Sequence, residues 1–529
     1  MKKNILLTSA VALLGIATLS ACGGSANDPY ANLDFTEPIS GAKITMWTPF
    51  GSDMHAQTEV LVERWAEITG VEVEIEAKSG YDTLKEAVYE SASNKSYPNI
   101  TFAYPDHMAT YVGSDIILRL DDYFAKGGQT KYEYASDEPS FKVSDFYEDY
   151  MRENQSIEYK DDGSGYTLGV PFNKSTEVLT YNKTFFDWAA GEDPSIVVPA
   201  TWDEVEVIGG KILALLARRG VYGKYLGKDN VVYASQEECR AGSGDDELFD
   251  FSKVIDPSKA DTTNIVNSFR PLGRDSMSNF FISTVRQWGG QYTGKDKATL
   301  EGKILFGTQV VKDAMKDMQD LYNDYIYGIP ATWNEAKYCS NPFSTLKCVM
   351  TIGSSAGADS NAPSGGKFKV SCAPILYKSA DKKYVISQGT NLVLLDKGTN
   401  KERVASWELL KFLTKYANGE FSAATGYFPA CEYAFNSEDY QEFFSYKPKS
   451  MTDEINLAAA KVNVDQYMKA SENWTKFVDE AFDGSSSVRT RIESAFKLLT
   501  IGLNGSQTGP EKVIDDLIAD LGEDFHIGE

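Results

Sequence analysis

Between Lys43 and Glu76 the spacing of apolar residues changes period twice, and that change commits the chain to one kind of sheet. Ile44 and Met46 alternate with polar neighbours from Lys43 to Trp47, the two-residue period of a strand. Leu61, Trp65 and Ile68 then recur at helical spacing, and Gly70 stops the run. Val71, Val73 and Ile75 next alternate with Glu72, Glu74 and Glu76, a second strand with a charged outer side. Strand, helix and strand in so short a span form a βαβ unit, which predicts a parallel sheet in an α/β domain. A helix carrying Leu84, Ala87 and Val88 follows, and after Pro98 a third strand over Ile100 to Ala103.

A chain of 529 residues is longer than one hydrophobic core supports, so at least two lobes are expected. In open parallel sheets, ligands bind outside the carboxyl ends of the strands. That rule points to Trp47 and the loop Thr48-Pro49-Phe50-Gly51-Ser52 after the first strand, and to Tyr104-Pro105-Asp106-His107 after the third. Both loops mix aromatic with hydrogen-bonding groups, as a polar ligand with apolar faces needs. Residues 125 to 142 read as a surface excursion, and residues 226 to 265 as a polar, acidic loop insertion with little periodicity.

Leu168 and Val170 before Pro171 read as a short strand, because proline biases its predecessor to extended geometry. Leu179 to Asn182 is another, and Thr201-Trp202-Asp203-Glu204 has the form of a helix start. Met277, Phe281, Val285 and Trp288 share a helical face closed by Gly289-Gly290. This order of motifs resembles the family 1 extracellular solute-binding proteins, the maltose-binding-protein class that serves ABC importers. The resemblance extends through Phe343 to Ser355, Ile386 to Leu392, Thr425-Gly426-Tyr427-Phe428-Pro429-Ala430 and Gly484 to Arg489, roughly residues 40 to 520. Two departures stand out. Lys347 replaces the family's usual glycine, and Ser354 and Ser355 follow Gly353 where many relatives carry a tryptophan.

The resemblance implies an α/β, two-lobed periplasmic-binding-protein-like fold of type II, with the ligand cleft between lobes joined by a hinge. It places the first part of lobe one at 41–168, the first part of lobe two at 169–388, the return to lobe one at 389–445 and closing lobe-two helices at 446–529. It also implies a partner, the permease subunits of an ABC transporter.

Lys2 and Lys3 precede an apolar run from Ile5 to Leu19, and Leu19-Ser20-Ala21-Cys22 follows. These are the regions of an export signal, and the tetrapeptide is similar to a bacterial lipobox. Residues 1–21 are therefore expected to be removed and Cys22 lipidated, with 22–40 as a tether. The protein would then sit on the outer face of a cytoplasmic membrane, or on the periplasmic side in a two-membrane cell. A formal charge of −24 disfavours nucleic acid and anionic headgroups, whose binding rests on clustered Lys and Arg. Cys239, Cys339, Cys348, Cys372 and Cys431 are an odd, widely spaced set, which favours buried free thiols, with Cys339 and Cys348 the nearest pair for a disulfide. No spacing of Cys or His points to a metal, no cofactor is implied, and a monomer is expected.

One motif argues for catalysis: Gly353-Ser354-Ser355-Ala356-Gly357 fits Gly-x-Ser-x-Gly, with Ser355 as nucleophile of a secreted hydrolase. The following residues have loop composition, and the one later histidine is His526, so the chain is read as a binder and not an enzyme. With 12% aromatic residues and no Lys or Arg in the candidate loops, the expected ligand is a mono- or oligosaccharide. A glycerol phosphate or glycerophosphodiester is the alternative. The expected walls are Trp47, Phe50, Tyr104, Trp288 and Tyr427, with Ser52, Asp106, Asn173 and Ser355 as polar contacts.

Overall fold

The computed structural model describes residues 29–528 except 31–32, 245–246, 262–263, 469–472 and 504. The export signal and Cys22 lie outside the described residues. Two five-stranded sheets organise the chain. The first runs Glu72–Ala77, Lys43–Thr48, Ile100–Ala103, Gln388–Leu394, Val170–Ser175 in spatial order. Its first three strands are parallel and Gln388–Leu394 is antiparallel to both neighbours. The second runs Tyr327–Gly328, Leu272–Arg274, Met350–Ser354, Glu177–Asn182, Val370–Ala373, again with three parallel strands and an antiparallel fourth.

Each sheet thus takes its antiparallel strand from a distant part of the chain, and those strands mark the passages between lobes. Val170–Ser175 belongs to the first sheet and Glu177–Asn182 to the second, so the chain passes over at Thr176, later than residue 168. Pro171 is tolerated because its strand is an edge. The return runs through Tyr384–Ile386, which pairs with Thr475–Phe477, into Gln388–Leu394. The helix Met451–Val462 then packs against Val370–Ala373 in the second lobe. Separate apolar cores, around Trp65, Phe102, Phe172 and Trp407 in one lobe and around Trp202, Phe280, Tyr327 and Met350 in the other, stabilise the two sheets independently.

Local signals read well where caps are strong. Thr201 Oγ accepts from the Glu204 N–H at 3.0 Å and Glu204 Oε2 accepts from the Thr201 N–H at 3.2 Å, a capping box for the helix Trp202–Arg219. The helix Ser52–Thr69 buries Leu61, Val62 and Trp65 and stops at Gly70, but Ile68 is 45% exposed, because the buried face drifts to Thr69. Residues 226 to 265 are more than a loop. Tyr225–Gly227, Val232–Tyr233 and Glu247–Asp250 form a small sheet beside the helix Gln236–Ser243, held by buried Cys239, Phe249 and Phe251. Strands of two to four residues leave no readable period. The five cysteines after Cys22 are free thiols, four of them buried, and the Cys339 and Cys348 sulfurs both lie over Gly273.

Candidate functional site

The carboxyl ends of Glu72–Ala77 and Ile100–Ala103, with the turn after the helix Asn418–Thr425, bring three tyrosines together. Ser79 and Gly80 adopt positive φ (54° and 134°), and this sharp turn delivers Tyr81 to the head of its helix. Tyr104 precedes Pro105 at the start of the helix Pro105–Gly113. Tyr427 follows Gly426, whose φ of 75° ends the preceding helix. The Tyr81 and Tyr104 ring centroids are 5.0 Å apart, and the Tyr81 and Tyr427 hydroxyls 3.2 Å.

Asn173 holds this wall from below. Its Nδ2 donates to Tyr81 Oη at 3.0 Å, while its Oδ1 accepts from the Thr390 N–H at 3.1 Å and the Thr390 hydroxyl at 2.5 Å. Phe50, 2% exposed, packs edge-on to Phe102 and props Tyr81 at 6.4 Å. Burial raises the pKa of Tyr81, Tyr104 and Tyr427, so all three hydroxyls remain neutral donors near pH 7. Burial lowers the pKa of His107, which is neutral there too.

The second lobe contributes Tyr338, 54% exposed, near these rings. The same lobe also carries Arg489. Its guanidinium grips Asp479 through Nε at 3.3 Å and Nη2 at 2.5 Å, and donates from Nη1 to Asn279 Oδ1 at 2.8 Å. Burial alone would pull Arg489 down, but Asp479, Tyr292 and Asp106 hold it above the ordinary arginine value. The buried Tyr292 hydroxyl has no hydrogen-bond partner among the described residues. Deeper in this lobe Arg274 makes a two-pronged bond to Glu177, 2.8 Å on each arm, with both side chains nearly fully buried.

Of the residues expected from sequence, Tyr104, Asp106, Tyr427 and Asn173 come together here. The others do not form its wall. Trp47 lies under Lys78, whose Nζ is 3.9 Å from the ring centroid. Ser52 is exposed at the head of its helix and bonds to Asp53. Phe50 is core. Trp288 ends a helix that starts at Met277, so it lies about 16 Å along the axis from the strand end that feeds that helix. There it donates to Asp317 Oδ2 at 2.8 Å and packs on Trp202.

Ser355 is 1% exposed; its Oγ accepts from the Thr176 N–H and from Asn463 Nδ2, each at 3.1 Å. It opens a 3-10 turn, Ser355–Asn361, whereas a nucleophile elbow opens an α-helix, so this serine ties down the passage between lobes. Lys174 and Glu153 form a second buried tie beside it.

Tyr81, Tyr338, Tyr292 and Arg489 were not foreseen. The Lys78-Ser79-Gly80-Tyr81 turn after the second strand was a readable signal for the first of them. No described helix is long and apolar enough to cross a membrane, and no cluster of potential metal ligands occurs among the described residues.

The family model for bacterial extracellular solute-binding proteins matches residues 61–443. The chain is 23% identical over 416 residues to the sn-glycerol-3-phosphate-binding periplasmic protein UgpB of Shigella dysenteriae serotype 1, covering 77% of this chain and 79% of that one. Its fold is similar to the GacH receptor of Streptomyces glaucescens, solved unliganded and with acarbose (TM-score 0.59, 15% identity, 92% of this chain and 99% of that one). It is similar also to UgpB of Mycobacterium tuberculosis in complex with glycerophosphocholine (TM-score 0.60, 16% identity, 92% and 98%). A third likeness is MalE of Bdellovibrio bacteriovorus bound to maltotriose (TM-score 0.56, 15% identity, 91% and 100%).

Proposed function

Because the chain belongs to the bacterial extracellular solute-binding protein family, we propose that it captures a carbohydrate between its lobes and delivers it, unaltered, to the permease of an ABC importer. The ligand lies against Tyr81, Tyr104 and Tyr427, with Asp106 accepting from sugar hydroxyls and Tyr338 closing from the other lobe. The lobes, 41–175 with 388–445 against 177–387 with 446–529, turn about Thr176 and Ser387 as hinges. Cys22 carries lipid and holds the protein to the membrane, and the chain works as a monomer.

One observation carries the choice of ligand: the cleft's arginine is already neutralised. Arg489 spends its fork on Asp479 and Asn279, and Asp106 adds a further negative charge. A phosphate entering there would find that arginine already paired, whereas neutral hydroxyls find neutral tyrosine donors, a carboxylate acceptor and ring faces. The likeness to UgpB supports the second reading, a glycerophosphodiester. Thermal-shift assays with maltotriose, other mono- and oligosaccharides, glycerol 3-phosphate and glycerophosphocholine separate the two. Stabilisation by neutral sugars alone is expected; stabilisation by the phosphorylated compounds alone overturns the assignment. Conversion of a bound sugar, followed by mass spectrometry, would overturn the reading as a binder.

A further inference from the structure

At the far end of the helix Pro105–Gly113 from Tyr104, the lobes meet a second time. A cavity of about 710 Å³ lies there, lined by Ala109, Val112 and Gly113 from the first lobe and by Gly302, Phe482 and Asp483 from the second, among others. Apolar packing therefore does not seal this flank. What spans it is Lys295, the last residue of the short strand Thr293–Lys295, which pairs with Gly302–Ile304 in the second lobe.

The Lys295 ammonium donates to the Ser156 carbonyl at 2.6 Å, the Ile157 carbonyl at 2.9 Å and the Ala481 carbonyl at 2.8 Å. Ile157 is buried in the first-lobe core, while Ala481 adjoins Phe482 in the second. One protonated amine thus satisfies three carbonyls drawn from both lobes, the full donor capacity of the group. Among the described residues, the Ile157 and Ala481 oxygens have no other donor. Burial pulls the lysine's pKa down to about 8, so near neutral pH it keeps the charged, three-proton form.

We propose that Lys295 is an affinity-setting latch, a positioning residue that touches no ligand but fixes how long the lobes stay closed over one. The proposal rests on the reading that the lobes part and close about a ligand. Parting them strips Lys295 from Ser156 and Ile157, whereas the tyrosine wall remains intact within the first lobe. Losing the latch therefore acts on escape and not on encounter. It weakens binding by shrinking the closed population.

Stopped-flow tryptophan fluorescence of the mature protein with maltotriose, and in parallel with glycerophosphocholine, tests this on wild type, Lys295→Met and Lys295→Arg. For Lys295→Met the dissociation rate rises about tenfold with the association rate unchanged, as loss of charge-assisted bonds in the closed state requires. The melting temperature of the ligand-free protein stays the same, and Lys295→Arg recovers part of the slow dissociation. Equal dissociation rates in wild type and Lys295→Met overturn the latch. So does an equal fall of melting temperature with and without ligand, which would make Lys295 merely structural. If only glycerophosphocholine binds, the sugar assignment falls and the latch is read on that ligand. If neither binds, the same stopped-flow comparison is made with a compound that stabilises the wild type in a wider thermal-shift screen, and equal dissociation rates for wild type and Lys295→Met there overturn the latch.

Discussion

On the first-lobe side of the cleft, Tyr81, Tyr104 and Tyr427 hold one another through ring packing and neutral hydroxyl and amide contacts. The second-lobe side is laid out in charge pairs, Arg489 with Asp479 and, deeper, Arg274 with Glu177. The difference separates two tasks. Neutral rings and hydroxyls cost little to leave half-hydrated, so one wall can stand ready for a ligand. Buried charges must be satisfied whether or not a ligand is present, so the other wall is committed to its own structure.

Breaking the deeper pair should have the largest effect. Arg274→Met leaves the Glu177 carboxylate, 1% exposed, without its cation. A loss of about 3–5 kcal/mol of unfolding free energy is expected. Urea denaturation measures it, and adding Glu177→Gln should return part of the loss. A fall below about 1 kcal/mol would show that this pair does not hold the wall.

The reverse dissociation is expected across the cleft. Tyr104→Ala should weaken maltotriose binding by about 10- to 100-fold, the cost of removing an aromatic anchor, with a small change in melting temperature. Titration calorimetry reads the affinity. If affinity holds while stability drops, the ring is a core plug and the tyrosine wall is not the binding face.

The charge pair nearer the ligand is only partly buried, with Arg489 and Asp479 side chains 26% and 14% exposed. Its coupling in a double-mutant cycle with Arg489→Met and Asp479→Asn should be smaller, about 1–2 kcal/mol. The double variant should bind glycerophosphocholine no better than wild type. A gain for that ligand alone would mean that Asp479 had been screening a phosphate site.

Legibility in the sequence also divided along these walls. The βαβ unit, the capping box at Thr201 and the loop at Tyr104 could be read because each depends on neighbours within a few residues. Tyr427 was reached through the family's Thr-Gly-x-x-Pro-Ala turn. Trp288 stands apart from the tyrosine wall, because a helical face says which side is buried and not how far along the axis a residue lies. Arg489 reads in the sequence only as the end of the Gly484 to Arg489 motif, because its pairing depends on Asp479 and Asn279, and Asn279 is 210 residues away in sequence. No period or motif encodes such a pairing. The same holds for Ser355, which with its partners Thr176 and Asn463 joins three separated segments.

The smallest expected effect concerns Asp275, which follows the second-sheet strand Leu272–Arg274. Its Oδ1 accepts from the Cys339 N–H at 2.6 Å, yet burial outweighs that bond and raises its pKa to about 6. A carboxyl that binds its proton more tightly when folded than its ordinary value of 3.8 destabilises the fold above pH 6, and the penalty is relieved as pH falls from 6 toward 4. Stability contributed by this group should therefore rise by on the order of 1 kcal/mol between pH 7 and pH 5. Asp275→Asn keeps the acceptor for Cys339 and cannot ionise, so the difference between wild-type and variant unfolding free energies should carry that slope alone. Burial raises the pKa of the three tyrosine hydroxyls of the opposite wall, so they stay neutral through this window and the Asp275 slope owes nothing to them. A slope of opposite sign in the Asp275 difference curve would mean that Asp275 is held charged in the fold, and that the Cys339 N–H, not burial, sets its protonation.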